Sequence, residues 1–237
     1  MKCKICNSLI KPKNLFLYIH QKIKYYRCKK CNFIFQYPLT TLEKLKKLYD
    51  KRYFTENYSK NNKSFQLRKI QYNLDKKILL QFYKDNSKKK ILDYGCGNGQ
   101  FLSIFKSKKY GYEFNRSAKL GSKIKRVSMK ESFTKKYDLV IMRGVIEHIP
   151  NFDKIVQKLC RSIKKNGLFF VTATPNSNNL SFFLSNKDFN QNHPGHIYHF
   201  NNVNLSFLFL KNNFLNISKK FEYFKTPYAN LKRDFNN

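Results

Sequence analysis

The chain has 237 residues, which is long enough for one sizeable domain with a small appendage. Its content of 41% hydrophobic and 16% aromatic residues supports a packed core and excludes wholesale disorder. Its 48 Lys and Arg against 14 Asp and Glu give a formal net charge of +34, which favours a polyanionic partner such as RNA or an anionic membrane surface. The lysines are scattered along the whole chain, however, so the composition of an AT-rich genome explains the charge equally well.

The expected compartment follows from what the sequence lacks. No apolar run approaches the roughly 18 to 20 residues needed to cross a bilayer, and the first residues lack the apolar stretch of a secretory signal. We therefore expect a cytoplasmic protein, in a reducing setting where paired cysteines bind metal more often than they form disulfides.

The first 37 residues contain two Cys-x-x-Cys pairs, formed by Cys3 and Cys6 and by Cys28 and Cys31. Each pair can chelate from one tight turn, and four thiolates complete the tetrahedral shell of Zn²⁺. Between the pairs, the segments 15–19 and 23–26 predict a short hairpin. A unit this small has little core, so the metal would supply most of its folding free energy. We predict a structural zinc ribbon over residues 1–37.

Residues 38–88 predict a helical linker and cap. Leu42, Leu45 and Leu48 favour a short helix, which is followed by a polar segment containing Tyr53. Apolar residues at three- or four-residue intervals then predict an amphipathic helix over residues 65–83, whose apolar stripe packs against the next domain.

The most informative stretch is Ile91-Leu92-Asp93-Tyr94-Gly95-Cys96-Gly97-Asn98-Gly99-Gln100-Phe101-Leu102. A short apolar strand runs into a Gly-x-Gly-x-Gly turn, and a helix follows. The glycines let the backbone bend sharply and let a ligand approach the main chain. By itself such a glycine repeat suits a dinucleotide equally well.

With Asp93 at the end of the strand, this stretch resembles the first motif of class I S-adenosylmethionine-dependent methyltransferases. The resemblance continues through residues 110–115 and 137–149. It implies S-adenosylmethionine as the cofactor, with Gly95, Gly97 and Gly99 around its methionine moiety, Asp93 near its amino group and Glu113 on its ribose hydroxyls. The link before Glu113 is a few residues shorter than is usual in the family, and a surface acid is the alternative for Glu113.

The rest of residues 89–225 predicts further strands and helices. A short third strand over 126–129 has no clear adenine-binding acid after it, because Glu131 fits a loop residue as well. A fourth strand begins at Tyr137, a helix follows Asn151 as its N-cap, and a fifth strand covers residues 168–173. This order predicts an α/β, Rossmann-like, doubly wound parallel sheet with right-handed crossovers, followed by a tail over residues 226–237. Cys96 and Cys160 are expected to be buried thiols.

The segment His193-Pro194-Gly195-His196-Ile197-Tyr198-His199-Phe200 holds three of the five histidines. In the family that the chain resembles, such a segment often approaches the acceptor pocket, and His196 matches its recurrent histidine. We predict His196 as a general base, with Tyr198 or His193 orienting the acceptor. The alternatives are packing within a loop, or a metal site that lacks an obvious carboxylate ligand. His148, which follows Glu147, is expected to support the loop below the cofactor.

Three functions remain open. The first is methyl transfer to a small-molecule acceptor, since the chain resembles ribbon-bearing enzymes of sugar, cell-surface polysaccharide or secondary-metabolite pathways. The second is methylation of RNA, because some ribosomal RNA guanine methyltransferases also carry an N-terminal ribbon. The third is a non-catalytic binding protein on this scaffold. Arg143-Gly144-Val145 stands where amino-methylating enzymes carry Asn-Pro-Pro-Tyr, which argues against that class, and we favour the small-molecule acceptor.

Overall fold

The computed structural model describes residues 1–19, 23–49, 63–178 and 195–217. Its strands are β1 (Leu15–Ile19), β2 (Ile23–Arg27), β3 (Ile34–Gln36), β4 (Lys90–Tyr94), β5 (Lys108–Tyr112), β6 (Ile124–Arg126), β7 (Tyr137–Arg143), β8 (Ile163–Thr172) and β9 (Tyr198–His199). Its helices are α1 (Leu42–Leu48), α2 (Lys63–Leu79), α3 (Gln100–Ser103), α4 (Met129–Thr134), α5 (Phe152–Ser162) and α6 (Asn202–Leu210). Short 3₁₀ turns cover Pro12–Asn14 and Ile146–His148. The tail predicted over residues 226–237 lies outside the described residues, as does Tyr53.

Five strands form a parallel sheet in the order β6-β5-β4-β7-β8. The chain leaves β4 toward one edge and then returns to place β7 on its other side. At such a reversal the loops diverge and leave a crevice at the carboxyl ends of the strands. Asp93 lies in register with Gly111 on one neighbour and Ile141 on the other, so the ends of β4, β5 and β7 meet at this crevice. The predicted Rossmann-like α/β fold is confirmed.

The two central strands are buried on both faces, as their uninterrupted apolar sequence requires. Ile91 and Leu92 of β4 have no exposed surface, and the same holds for Leu139 to Met142 of β7. A rigid sheet centre of this kind fixes the backbone positions from which the loops of the crevice depart.

The ribbon forms a second, antiparallel sheet in the order β1-β2-β3-β9. The predicted hairpin is confirmed as β1 and β2. The fourth strand comes from the far end of the chain, because Tyr198 pairs with Phe35 and His199 with Ile34. Phe33 of the ribbon lies against Phe152 of α5, with ring centroids 5.8 Å apart. The ribbon is therefore joined to the larger domain through both backbone pairing and aromatic packing.

Several predicted boundaries shift. The amphipathic helix ends at Leu79 rather than residue 83, and the chain turns so that the Tyr83 hydroxyl lies 3.0 Å from that of Ser107. The third strand covers 124–126 rather than 126–129, because Ser128 caps α4 in a reciprocal capping box with Glu131. The fifth strand begins at residue 163, directly after α5.

Two local expectations about side chains are answered. Asn151 stands at the N-cap of α5, but its side chain makes no capping hydrogen bond. Cys96 and Cys160 are buried, as predicted. None of the helices within the described ranges is long and apolar enough to cross a membrane.

Candidate active site

The glycine loop lies at the carboxyl end of β4 and has a backbone that side chains disfavour. Gly95, Gly97 and Gly99 have φ values of 84°, 56° and 79°, in the left-handed region. A Cβ added at Gly95 would stand 2.5 Å from a methyl group of Val145, and one at Gly99 equally close to Ile124. The sharp turn therefore depends on glycine at these positions.

Asp93 supplies a buried carboxylate beside this loop. Its residue is 2% exposed, and its Oδ1 has no hydrogen-bond partner among the residues that the structure describes. Burial raises the pKa of Asp93 to about 7, although the positive charge of Arg143 opposes the shift. A buried carboxylate oxygen without a hydrogen-bond donor can accept a hydrogen bond from a cationic group such as the amino group of S-adenosylmethionine.

Glu113 follows β5 and reaches across to the glycine loop. Its Oε2 accepts a hydrogen bond of 3.0 Å from the Gly97 amide, and its Oε1 accepts one of 3.0 Å from the Asn115 amide. Burial raises the pKa of Glu113, while these two amide donors oppose the shift. Each carboxylate oxygen has a second lone pair, so the group retains capacity for two ribose hydroxyls. Despite the short link before it, Glu113 lies in the crevice rather than on an outer surface.

A second cluster forms where the loop after β7 meets the segment before β9. The rings of His148 and His196 have centroids 4.7 Å apart. His148 Nδ1 lies 2.7 Å from the Gly195 carbonyl oxygen, and His148 Nε2 lies 3.8 Å from Oε1 of Glu147. Glu147 is buried, which raises the pKa of its carboxyl group against the opposing charge of His196.

This cluster also answers the question of a carboxylate partner for the histidines. Ligand atoms of Glu147, His148 and His196 all lie within 4.8 Å of one another. Glu147 and His196 lie far apart in the sequence, and only the fold brings the two segments together. The arrangement suits proton transfer from an acceptor, and it places His148 beside the predicted base as a supporting residue.

Tyr198 and His193 are the residues predicted to orient the acceptor. Tyr198 is 1% exposed, and its hydroxyl donates a hydrogen bond of 2.6 Å to the Pro150 carbonyl. Its ring packs on those of Phe33 and Phe152, with centroids 5.6 and 4.8 Å away. This placement favours a packing role between ribbon and domain over the predicted role in orienting an acceptor. His193 lies outside the described residues.

Near Asp93, a buried ion pair joins α2 to the sheet. Arg143, at the end of β7, donates from Nε to Asp75 of α2 at 2.9 Å, and its guanidinium lies 4.6 Å from the centre of the Tyr72 ring. The Thr172 hydroxyl lies 3.1 Å from the other Asp75 oxygen. In the sequence, Arg143 bears only on the argument against the amino-methylating class. The only feature of the sequence that could have indicated the pairing with Asp75 is an acid on the apolar side of an amphipathic helix.

The four ribbon cysteines converge. Cys3 and Cys31 have sulfur atoms 3.6 Å apart, and Cys6 and Cys28 have theirs 3.5 Å apart. Four thiolates at Zn–S distances of about 2.3 Å have tetrahedral S–S separations of about 3.8 Å, which these sulfurs approach. Both knuckles share one backbone design, in which Asn7 and Asn32 take positive φ and bond back to the first cysteine carbonyl. The donor set and its geometry fit a closed zinc site.

Comparison with known proteins identifies the larger domain. Residues 66–219, well over half of the chain, match a family model described as a methyltransferase domain. A solved S-adenosylmethionine-dependent methyltransferase from Archaeoglobus fulgidus superposes with a TM-score of 0.53, at 18% identity, over 73% of this chain and 79% of that one. This likeness supports the fold.

Two curated relatives are ubiquinone biosynthesis O-methyltransferases. The protein from Rickettsia typhi is 30% identical over 122 residues, which cover 44% of this chain and 48% of the relative. The protein from Rickettsia canadensis is 28% identical over 122 residues, which cover 44% of this chain and 50% of the relative. The chain thus spans about half the length of the curated relatives it matches. From the family match and the observed sheet, the chain belongs to the methyltransferase domain family and has its class I, Rossmann-like fold.

Proposed function

We propose that this protein transfers the methyl group of S-adenosylmethionine to a small-molecule acceptor. The observation that carries the proposal is the open carboxylate oxygen of Asp93, buried at the end of β4 beside the left-handed glycine loop. A buried acceptor without a hydrogen bond costs folding free energy, and a cationic donor bound at Oδ1 would offset this cost. Glu113 stands on the other side of the same loop.

Each residue of the crevice has its own role in the proposed reaction. Asp93 would accept hydrogen bonds from the cofactor amino group, and Glu113 would accept them from the ribose hydroxyls. When bound, S-adenosylmethionine supplies an electrophilic methyl group. His196 accepts the proton from the nucleophilic atom of the acceptor, and His148 and the buried Glu147 stabilise the charge that His196 acquires.

The acceptor class rests on two lines of support. The curated relatives are named as O-methyltransferases of ubiquinone biosynthesis, which is compatible with a small-molecule acceptor that is methylated on oxygen. The resemblance to ribbon-bearing enzymes points to a sugar or a cell-surface polysaccharide precursor. Both are hydroxyl acceptors that need a base, which fits the histidine cluster.

We also propose that the four ribbon cysteines hold a structural Zn²⁺. All four sulfurs lie within 4.8 Å of one another, and four protein ligands leave no coordination position for a substrate. The ion would therefore stabilise the ribbon without taking part in methyl transfer.

RNA is the second candidate acceptor, and one observation favours it. Residues 1–37 contain nine Lys and Arg and no Asp or Glu, so the ribbon stays basic even with four thiolates and Zn²⁺ counted. Such a unit attracts phosphate backbones of any sequence.

Calorimetric titration with S-adenosylmethionine tests the proposal directly. We expect saturable binding to the native protein and a loss of at least about tenfold in affinity for Glu113→Ala, since charge-assisted hydrogen bonds contribute about 1.5–3 kcal/mol. Glu43→Ala, which removes an exposed acid from α1, serves as the control and should bind normally. Absence of binding by a folded, zinc-loaded protein would instead support the non-catalytic binding protein.

A further inference from the structure

Tyr49 occupies a position that the proposed chemistry does not yet use. It is the residue directly after α1, in the linker between ribbon and sheet, and it is half-buried. Its backbone and side chain contact two loops that leave the sheet from opposite sides of β4. One loop carries Glu113, and the other carries His148.

On the cofactor side, Tyr49 is tied to the loop after β5. Its carbonyl oxygen accepts a hydrogen bond from the side-chain amide of Asn115. The Asn115 backbone amide in turn donates to Glu113 at 3.0 Å. The Tyr49 ring also meets Phe114 edge to face, with centroids 6.2 Å apart and planes at 89°. Asn115 therefore connects Tyr49 by hydrogen bonds with the carboxylate assigned to the cofactor ribose.

On the histidine side, the same residue reaches His148. The Tyr49 hydroxyl oxygen lies 3.0 Å from His148 Nδ1, and the ring centroids are 5.3 Å apart. The Gly195 carbonyl lies 2.7 Å from the same nitrogen. A carbonyl only accepts, so a hydrogen bond there requires the proton on Nδ1. Two oxygens then face the N–H side of the ring, and Nε2 is turned toward Glu147 at 3.8 Å.

We propose that Tyr49 is a positioning residue that couples the cofactor site to the histidine pair. Its hydroxyl, together with the Gly195 carbonyl, holds His148 in the Nδ1–H tautomer beside His196, and its backbone ties this ring to the Glu113 loop through Asn115. Ordering of the Glu113 loop by the cofactor is thereby transmitted to His148. This inference rests on the proposed cofactor site, and it assigns the linker helix α1 a part in completing that site.

The test uses ¹⁵N-histidine NMR of the full-length, zinc-loaded protein, with S-adenosylhomocysteine as the probe. Tyr49→Phe removes only the hydroxyl, because the ring contacts and the carbonyl remain. Tyr37→Phe is the matched control, as Tyr37 is 49% exposed on the ribbon side of the molecule. His148→Gln assigns the His148 signals. A side chain that merely packs would leave the ring ¹⁵N shifts of His148 unchanged when its hydroxyl is removed.

Without the probe, we expect native His148 to show distinct Nδ1–H and Nε2 shifts, and Tyr49→Phe to move both toward tautomer averaging. With the probe, native His148 should shift further. Tyr49→Phe should bind the probe normally but lose more than half of that response. Asn115→Ala, which cuts the other connection, should keep the probe-free tautomer and lose the response.

Identical probe-free His148 spectra for the native protein and Tyr49→Phe would overturn the assignment, and so would a full response in both variants. If no protein binds S-adenosylhomocysteine, the proposed function fails instead. The probe-free comparison would still decide whether the hydroxyl holds the ring.

Discussion

Asp93 carries a carboxyl group whose charge state depends on its burial. Its pKa rises from 3.8 to about 7 because burial disfavours the charged form. The folded, cofactor-free protein therefore binds this proton more tightly than the unfolded chain does. Stability contributed by the protonated group is present below the ordinary pKa and is lost as pH rises toward the folded pKa.

We therefore expect the free energy of unfolding of the cofactor-free protein, measured relative to that of Asp93→Asn, to fall between about pH 4 and pH 7. Urea denaturation of both proteins across this range measures the difference. Glu113 and Glu147 are also shifted upward and contribute to the native slope, but they are common to both proteins. Parallel slopes for the two proteins would show that Asp93 is ionised when folded.

The Asp75–Arg143 pair makes a second prediction at the scale of single residues. The two side chains are 6% and 13% exposed, so removal of the carboxylate breaks a nearly buried ion pair. Asp75→Ala should cost about 3–5 kcal/mol in the free energy of unfolding.

An exposed ion pair provides the contrast. Lys89 pairs with Asp138 at 3.3 Å, but its side chain is 43% exposed. Lys89→Ala should cost less than about 1 kcal/mol, because solvent screens the pair. Urea unfolding of both variants checks the ratio, and equal losses would mean that the Asp75 pair is solvated in solution.

At the scale of elements, the ribbon is connected to the segment that contains His196. The Gln36 amide donates to the Ile197 carbonyl at 2.9 Å, next to the β3–β9 pairing. The Tyr25 hydroxyl donates to the His196 carbonyl at 2.8 Å. The ribbon therefore braces the backbone on both sides of the predicted base, and its stability bears on the histidine cluster.

Removal of zinc should consequently reach the histidine segment. We expect Cys28→Ser, or chelation of the native protein, to speed amide hydrogen exchange in β3 and β9 by at least about tenfold, while the amides of β4 and β7 stay protected. Hydrogen exchange read by mass spectrometry resolves these segments. Cys160→Ser, which removes a thiol outside the ribbon, should retain zinc and normal exchange. If the amides of β9 still exchanged slowly after zinc loss, the zinc-bound ribbon would not be what stabilises the histidine segment.

The elements also show where sequence patterns succeed. The strands β4 and β7 follow from uninterrupted apolar runs, and the hairpin β1–β2 from its position between two knuckles. The third strand was misplaced because Ser128 caps α4, which reserves that residue for a helix start. Strand β9 has two residues and no alternation to reveal it, since its partner Ile34 lies far away in the chain.

At the scale of the whole molecule, the charge of +34 predicts RNA binding for either acceptor class, so the sequence dependence of that binding and methyl transfer itself must distinguish them. If the acceptor is a small molecule, any RNA binding should be equally tight for unrelated sequences at both about 50 and about 200 mM salt, because the phosphate backbone alone carries it. Fluorescence anisotropy with two unrelated RNA hairpins measures this. Transfer of labelled methyl groups into RNA at the higher salt concentration would reverse the assignment and make RNA the substrate.

Several parts of the protein are encoded by short segments and could be predicted without the fold. The glycine turn after Asp93, the acid at 113 and the two cysteine pairs each need only neighbouring residues, because a tight turn and a strand end are local structures. Their order along the chain was enough to predict the parallel sheet. Together with the resemblance to class I methyltransferases, it was also enough to predict S-adenosylmethionine as the cofactor.

Only the tertiary structure decided which distant residues share a site. Tyr49 beside His148, Glu147 beside His196 and Asp75 beside Arg143 are contacts between segments far apart in sequence. No local periodicity marks them, since each partner alone reads as an ordinary polar residue of a loop or helix. The pairing of β3 with β9 likewise makes the ribbon a support for the histidine segment. This pairing was not predicted, because backbone hydrogen bonds do not depend on which side chains the two strands carry.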